Sequence, residues 1–254
     1  MKALGGGTLI FGTVASLAIV LGVVTWLNSE PPVDATARPV AKRPAATAPV
    51  APPPATAAGP VPTALIDPVK FLDAARRGTV DFTNSDFTAA RARFEDALKN
   101  KPDDPEIINN LGLTLERLGQ VDAAIVRFDQ AVKLDPKSWA YHFNLAHASA
   151  VRQNWDRAIA EYRAARDLFP DDYATQYNLA LTLHRKGDEQ AAIPEFEKAI
   201  MLAPGEPTFH LSLAASLERS GRLADAKREY QQYLDMAPSA VDADQVRAHL
   251  QGLT

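Results

Sequence analysis

The sequence contains no cysteine among its 254 residues. Disulfide bonds, thiolate nucleophiles and thiolate metal sites are therefore excluded, and folding does not depend on the redox state of the surroundings. The chain also lacks Gly-x-Ser-x-Gly, a phosphate-binding loop ending in Gly-Lys-Ser/Thr, and His-Glu-x-x-His. These are the signatures of common hydrolases, nucleotide-binding enzymes and zinc proteases. We expect a protein that is not an enzyme, has no cofactor and takes no small-molecule substrate.

Blocks of basic residues are missing as well. The chain has 27 Lys or Arg and 31 Asp or Glu, a formal net charge of −4, with the two signs interspersed. Binding to nucleic acid needs basic residues clustered on one face, so we expect no nucleic-acid partner. Of the five histidines, His147 and His184 are the pair considered for a metal. They lack an i, i+4 partner or matched carboxylates, so we expect no metal site.

What the sequence does contain is an internal repeat of 34 residues. Proline recurs at this interval at Pro102, Pro136, Pro170, Pro204 and Pro238. An aromatic residue lies eight positions before each proline, at Phe94, Phe128, Tyr162, Phe196 and Tyr230. Small residues keep the same interval at Ala90, Ala124, Ala158, Ala192 and Ala226, and at Gly78, Gly112, Ala146, Ala180 and Ala214. A small residue lets two helices approach closely, and the ring fills the groove beside it.

These positions resemble the tetratricopeptide repeat family, including its Leu-Gly or Leu-Ala pair at Leu111-Gly112 and Leu145-Ala146. The resemblance implies an all-α, right-handed solenoid of about five helix-turn-helix repeats within residues 67–254. The repeats are predicted at 71–104, 105–138, 139–172, 173–206 and 207–240, with a capping helix at 241–252. Other residues occupy the position of the family's tryptophan, among them His142 and His210, which we expect to pack between helices.

A membrane anchor is predicted at the amino terminus, within residues 1–28. Residues 3–27 carry no charge, and a helix of this length would be about 37 Å long, enough for a hydrocarbon core of about 30 Å. The alternative is a cleaved signal peptide, whose apolar region is typically about 7 to 15 residues. Trp26 suits a membrane interface, so we favour a retained transmembrane helix.

Residues 29–66 are rich in proline and alanine and are predicted to form a disordered, semi-rigid linker. Basic residues lie on both sides of the apolar segment, so the positive-inside rule does not decide its orientation. A long spacer is more useful across an envelope gap than in the cytosol. We therefore expect the repeats to be periplasmic, or more generally extracytoplasmic.

The candidate binding residues lie on the first helix of each repeat, which lines the concave face of such solenoids. One row consists of Asn110, Asn144 and Asn178. Their amides each offer donors and an acceptor to an extended peptide backbone, as in the asparagine ladder of some tetratricopeptide superhelices, which this row resembles. The alternative is that each asparagine bonds a neighbouring turn of its own protein.

Two further rows run beside these asparagines. Apolar residues that the core would not need suggest pockets for a partner's side chains, namely Phe143, Tyr177, Leu113 and Leu181. Arg117, Arg185 and Arg219 form the other row, interrupted by Val151, and face acidic groups of a partner in this interpretation. The alternative is pairing with the neighbouring Glu116 and Glu218.

The sequence therefore predicts a membrane-anchored scaffold that binds a protein or an extended peptide in its concave groove. Its role would be the assembly of an envelope or membrane complex. Two other classes stay open, a self-assembling coat or lattice protein and the accessory subunit of an enzyme complex.

Overall fold

The computed structural model describes residues 67–253, and the regular structure there is entirely α-helical. The predicted transmembrane anchor at 3–27 and the predicted linker at 29–66 lie outside the described residues. Within 67–253, no helix has the length and apolar character needed to cross a membrane.

The described part of the chain contains eleven helices. Five are the first helices of a repeat, called A helices here: α1 (Pro68–Thr83), α3 (Pro105–Arg117), α5 (Trp139–Val151), α7 (Tyr173–Lys186) and α9 (Pro207–Arg219). Five are second helices, called B helices: α2 (Phe87–Asn100), α4 (Val121–Leu134), α6 (Trp155–Leu168), α8 (Glu189–Leu202) and α10 (Leu223–Met236). The last is α11 (Ala243–Gly252). Each helix packs mainly on its neighbours along the chain, so the predicted all-α solenoid is confirmed.

Local sequence explains where the helices begin. The Asp67 side chain accepts hydrogen bonds from the backbone N–H groups of Val69 and Lys70, both at 3.1 Å, and Pro68 occupies the first turn. A carboxylate and a proline at these positions satisfy or remove backbone donors that a helix start leaves unpaired. Asp172 and Asp188 cap α7 and α8 in the same way.

The turn from A helix to B helix requires a left-handed backbone conformation at one position of every repeat. Glycine occupies it in three repeats, for example Gly187 at φ 91°. Ser85 and Gln153 adopt it in the first and third repeats, at φ 63° and 58°. A side chain in this region costs about 1–2 kcal/mol. Backbone hydrogen bonds across the two turns offset this cost, from Asp86 N–H to the Asp81 oxygen and from Asn154 N–H to the Ser149 oxygen, both at 2.9 Å.

The repeated aromatic and small residues form the core, as predicted. All five aromatic wedges are buried, and Phe94, Phe128 and Phe196 are completely enclosed. A Cβ atom added at Gly112 would lie 2.6 Å from the Phe128 ring, which explains why this position has no side chain. The repeated alanines of the B helices are likewise fully enclosed: Ala90, Ala124, Ala158, Ala192 and Ala226.

The final helix, α11, continues the register of the A helices. His249 Nε2 lies 2.8 Å from Glu218, and His147 Nδ1 lies 2.8 Å from Glu116, with the same separation along the chain in both pairs. Thus α11 occupies the position that the first helix of a sixth repeat would take. Where A helices bury leucine, it carries Arg247 and Gln251, which face water rather than a further B helix.

Candidate functional site

The three asparagines of the predicted ladder are enclosed by the protein. Asn110 is 1% exposed, and Asn144 and Asn178 are each 6% exposed. Asn144 donates from Nδ2 to Asn109 Oδ1 at 2.8 Å, whereas Asn178 donates to the backbone oxygen of Ala174 at 2.8 Å. Asn178 therefore bonds a neighbouring turn, as in the alternative interpretation, and Asn144 bonds a side chain of the preceding repeat. Asn110 Oδ1 has no hydrogen-bond partner among the described residues.

The asparagine row and the apolar row meet across repeat boundaries. Asn109 of the second repeat contacts Asn144 of the third, and the Tyr177 hydroxyl of the fourth lies 2.9 Å from Ser212 Oγ of the fifth. Asn109 is equivalent to Phe143 and Tyr177 in the repeat, and Ser212 is equivalent to Asn178. Both pairs therefore join one row to the other, 35 residues further along the chain. Adjacent A helices are thus close enough to cover residues that a single helix would present to solvent.

The expectation that Phe143, Tyr177 and Leu113 face the groove is wrong in this structure. Phe143 packs edge-on against Tyr162, and Tyr177 stacks on Phe209 with ring centroids 4.4 Å apart. All three are buried members of the hydrophobic core. Tyr162 lies on the B helix of Phe143's own repeat, whereas Phe209 lies on the A helix that follows Tyr177. Leu181 remains partly accessible.

The arginine row does lie at the surface, at the carboxyl ends of the A helices. Arg117 sits over the Phe87 ring at 5.7 Å, and Arg219 Nε lies 3.1 Å from Glu189 Oε1. No carboxylate among residues 67–253 pairs with Arg185. Val151 occupies the same position in the third repeat and is 52% exposed. The arginine row is therefore an accessible cationic surface, and Val151 is its one apolar position.

The repeat pattern is matched by tetratricopeptide repeat family models. One covers residues 76–138, 109–172 and 143–207, and a second covers 183–250. The chain belongs to the tetratricopeptide repeat family. No curated protein matches the sequence.

Solved structures with the same fold include other members of this family. MamA from Desulfovibrio magneticus RS-1, residues 41 to the end, is 20% identical with a TM-score of 0.65, covering 70% of this chain and 99% of MamA. PilF of Pseudomonas aeruginosa is 16% identical with a TM-score of 0.62, covering 73% and 84% of the two chains. A tetratricopeptide repeat protein of Thermus thermophilus is 23% identical with a TM-score of 0.51, covering 72% and 98%. At these identities the likeness establishes the fold alone.

The interface between the fourth and fifth repeats contains a buried polar cluster that was not predicted from the sequence. His184 Nδ1 lies 2.8 Å from both Glu189 Oε2 and Ser216 Oγ, and Arg219 donates to the His184 backbone oxygen at 3.2 Å. Burial lowers the pKa of His184. A serine nucleophile would need the histidine to contact serine and carboxylate through opposite nitrogens. Both contacts use Nδ1, so the cluster does not have the geometry of a catalytic triad. Because Ser216 belongs to the fifth repeat and Glu189 to the fourth, the cluster ties the two repeats together.

Polar pairs between helices occupy the position of the family's tryptophan. His142 Nδ1 lies 2.7 Å from Glu161, and His210 Nδ1 lies 2.7 Å from Glu229, each pair linking an A helix to its own B helix. The fourth repeat makes the equivalent bond from Gln176 to Glu195 at 2.9 Å. The expected packing of His142 and His210 between helices is confirmed. In the described residues, no group of three or more metal-ligating side chains is arranged around a common point.

A cleft of about 500 Å³ lies where α11 meets the fifth repeat. Glu218 lies at its edge, held by the Tyr230 hydroxyl and by His249 Nε2, each at 2.8 Å. Gly252 adds no side chain to fill it. Arg219 does not line this cleft, because its guanidinium is directed to Glu189 and His184 of the fourth repeat.

Proposed function

We propose that this protein is a scaffold that binds an acidic, extended segment of another protein along the arginine row. The observation that carries the proposal is Arg185, a surface guanidinium without a carboxylate partner among residues 67–253, between Val151 and Arg219. Guanidinium groups bind carboxylates through paired hydrogen bonds, and an exposed valine accommodates an apolar side chain. The family supports this use, because stacked helical repeats create extended concave binding surfaces.

A matched pair of variants tests the arginine row. We would select binders from a displayed peptide library on the full chain and measure their affinity for wild type, Arg185→Glu and Arg163→Glu. Arg163 is a second exposed arginine, on the B helix α6, so it controls for the same change in net charge. We expect acidic peptides to be selected, with about tenfold or greater weakening by Arg185→Glu alone and with binding that falls as salt rises.

Two results would contradict this function. One is selection of peptides without acidic residues. The other is equal weakening by Arg185→Glu and Arg163→Glu, because that outcome would reflect net charge rather than a site.

We further propose that residues 3–27 hold the scaffold at a membrane, with the repeats outside the cytoplasm and a role in assembling an envelope or membrane complex. The support is the uncharged run of 3–27 and the proline- and alanine-rich spacer that follows it. Deleting residues 1–28 should move the protein from the membrane fraction to the soluble fraction. A reporter fused after Thr254 that is active only in the cytoplasm would contradict this placement.

A further inference from the structure

The outer face of α1 carries an apolar stripe that no described part of the chain covers. Val69 is 74% exposed, Leu72 is 63% exposed and Val80 is 50% exposed. At 100° per residue, these three lie on the side of α1 opposite Ala74, Gly78 and Phe82, which pack into the core. We call Val69, Leu72, Asp73, Arg76 and Val80 the α1 stripe.

In every later repeat, this side of the A helix is a packing surface. The positions equivalent to Val80 are 0–3% exposed because the preceding repeat covers them: Thr114, Ala148, Thr182 and Ser216. The two ends of the solenoid therefore differ. At the carboxyl end α11 presents Asp244, Arg247 and Gln251 to water, whereas at the amino end the face of α1 keeps its apolar residues exposed.

The α1 stripe is complementary to itself when the helix is reversed. A two-fold axis between Ala74 and Ala75 places Val69 of one copy opposite Val80 of the other. The same axis places Asp73 opposite Arg76. Val69 and Val80 then meet, and each Asp73 carboxylate meets an Arg76 guanidinium, which is the pairing that a two-fold symmetric interface requires. Leu72 falls at the level of Arg77 of the other copy.

We propose that two copies of this protein associate through antiparallel packing of their α1 helices in this register. In one copy alone, Asp73 is shared between Arg76 at 3.4 Å and Arg77 at 2.9 Å. In the pair, the Asp73 carboxylate exchanges its weak contact with Arg76 of its own helix for Arg76 of the other copy. The helix has 16 residues, so the interface is at the small end of specific contacts, below about 1,200 Å², and association depends on concentration.

Cysteine cross-linking tests the register, because the natural chain has no cysteine to interfere. Val69→Cys/Val80→Cys should form a disulfide-linked dimer of the full chain under mild oxidation. The two positions lie about 16 Å apart along one helix, too far for a bridge within one copy. Val126→Cys, at another exposed valine on α4, is the control and should give little dimer. Val69→Cys alone should also give little, because residue 69 does not face its own counterpart.

Charge reversal supplies an independent measurement. In sedimentation equilibrium, Asp73→Arg should weaken the dimer by about tenfold or more, because it places a second guanidinium beside Arg76 of the other copy. The double variant Asp73→Arg/Arg76→Asp restores opposite charges across the axis and should recover the dimer. If the double charge variant does not recover the dimer, the proposal is overturned. It is also overturned if Val69→Cys alone gives as much cross-linked dimer as Val69→Cys/Val80→Cys. Absence of a dimer, with both cysteines protected from a thiol reagent, would overturn it in favour of a segment of the same chain covering the stripe.

Discussion

Asn144 and Asn178 occupy the same position in successive repeats but make different hydrogen bonds. Asn144 reaches across a repeat boundary to Asn109, whereas Asn178 bonds a carbonyl of its own helix. Asn109 Nδ2 has no hydrogen-bond partner among the described residues. The hydrogen bond from Asn144 is therefore the one that the side-chain amide of Asn109 makes within residues 67–253. The two asparagines should therefore contribute unequally to stability.

We expect Asn144→Ala to lower the free energy of unfolding by about 1–2 kcal/mol, because it leaves the buried Asn109 oxygen unpaired. Asn178→Ala should change it by less than about 0.5 kcal/mol, because alanine's better helix propensity offsets the lost intrahelical bond. Thermal and urea unfolding of both variants measure the difference. Equal losses would mean that the cross-boundary bond has no special weight.

His142 makes stability depend on pH in a defined direction. The hydrogen bond to Glu161 raises the pKa of His142 above its ordinary value of about 6.5, against the opposing effect of burial. The stabilisation is therefore fully present below about pH 6.5 and is lost as pH rises through the folded-state pKa.

The His142→Gln variant should remove this pH dependence while keeping the helix pair joined, because Gln176 makes the equivalent bond in the fourth repeat. We expect the melting temperature of wild type, relative to the variant, to fall between about pH 6 and pH 8. Parallel melting curves for the two proteins across that range would show that the pair contributes no proton-linked stability.

At the scale of single elements, the helices and their cores were predictable from sequence, and the environment of the concave residues was not. Phe94, Phe128 and Phe196 recur at a fixed interval because each fills the same space within its own repeat. Whether Tyr177 faces a groove depends on how closely two A helices approach, which the spacing of residues along one helix does not report. The left-handed backbone conformation of Gln153 was likewise not predictable, because the sequence indicates this turn only in repeats that have glycine there.

The closing helix α11 is joined to the solenoid by few but specific contacts. Tyr233 stands where the other repeats have alanine, and its hydroxyl donates to Asp242 just before α11 begins. Ala243 and Val246 then pack into the core beside Leu234. The larger tyrosine fills space beneath the last helix, so α11 and α10 should fold as one unit.

Truncation after Pro238 should therefore expose Tyr230, Tyr233 and Leu234 together. We expect a lower melting temperature, increased binding of a hydrophobic dye and aggregation at high concentration. Truncation after Gly252, which removes only the last two residues, is the matched control and should behave close to wild type. A truncation after Pro238 as stable as this control would mean that α11 is not a structural cap.

At the scale of the whole molecule, residues 67–253 contain three hydrophobic clusters, which together span all five repeats. A protein comprising residues 67–254 should therefore fold, with a helical circular dichroism spectrum and a melting temperature within about 3 °C of the full chain, because stability is a sum of repeat and neighbour terms. A substantially lower melting temperature would indicate that residues before Asp67 contribute to the folded core.

The polar outer side of α11 also matters for the order in which the chain is made. The ribosome releases the amino-terminal repeats first, and each repeat needs only its neighbours to bury its apolar surface. During translation, the growing solenoid presents the unfinished edge of its newest repeat until the following one emerges. Arg247 and Gln251 arrive last, and their helix closes the edge. A nascent chain arrested before α11 should therefore retain chaperones that the completed chain releases.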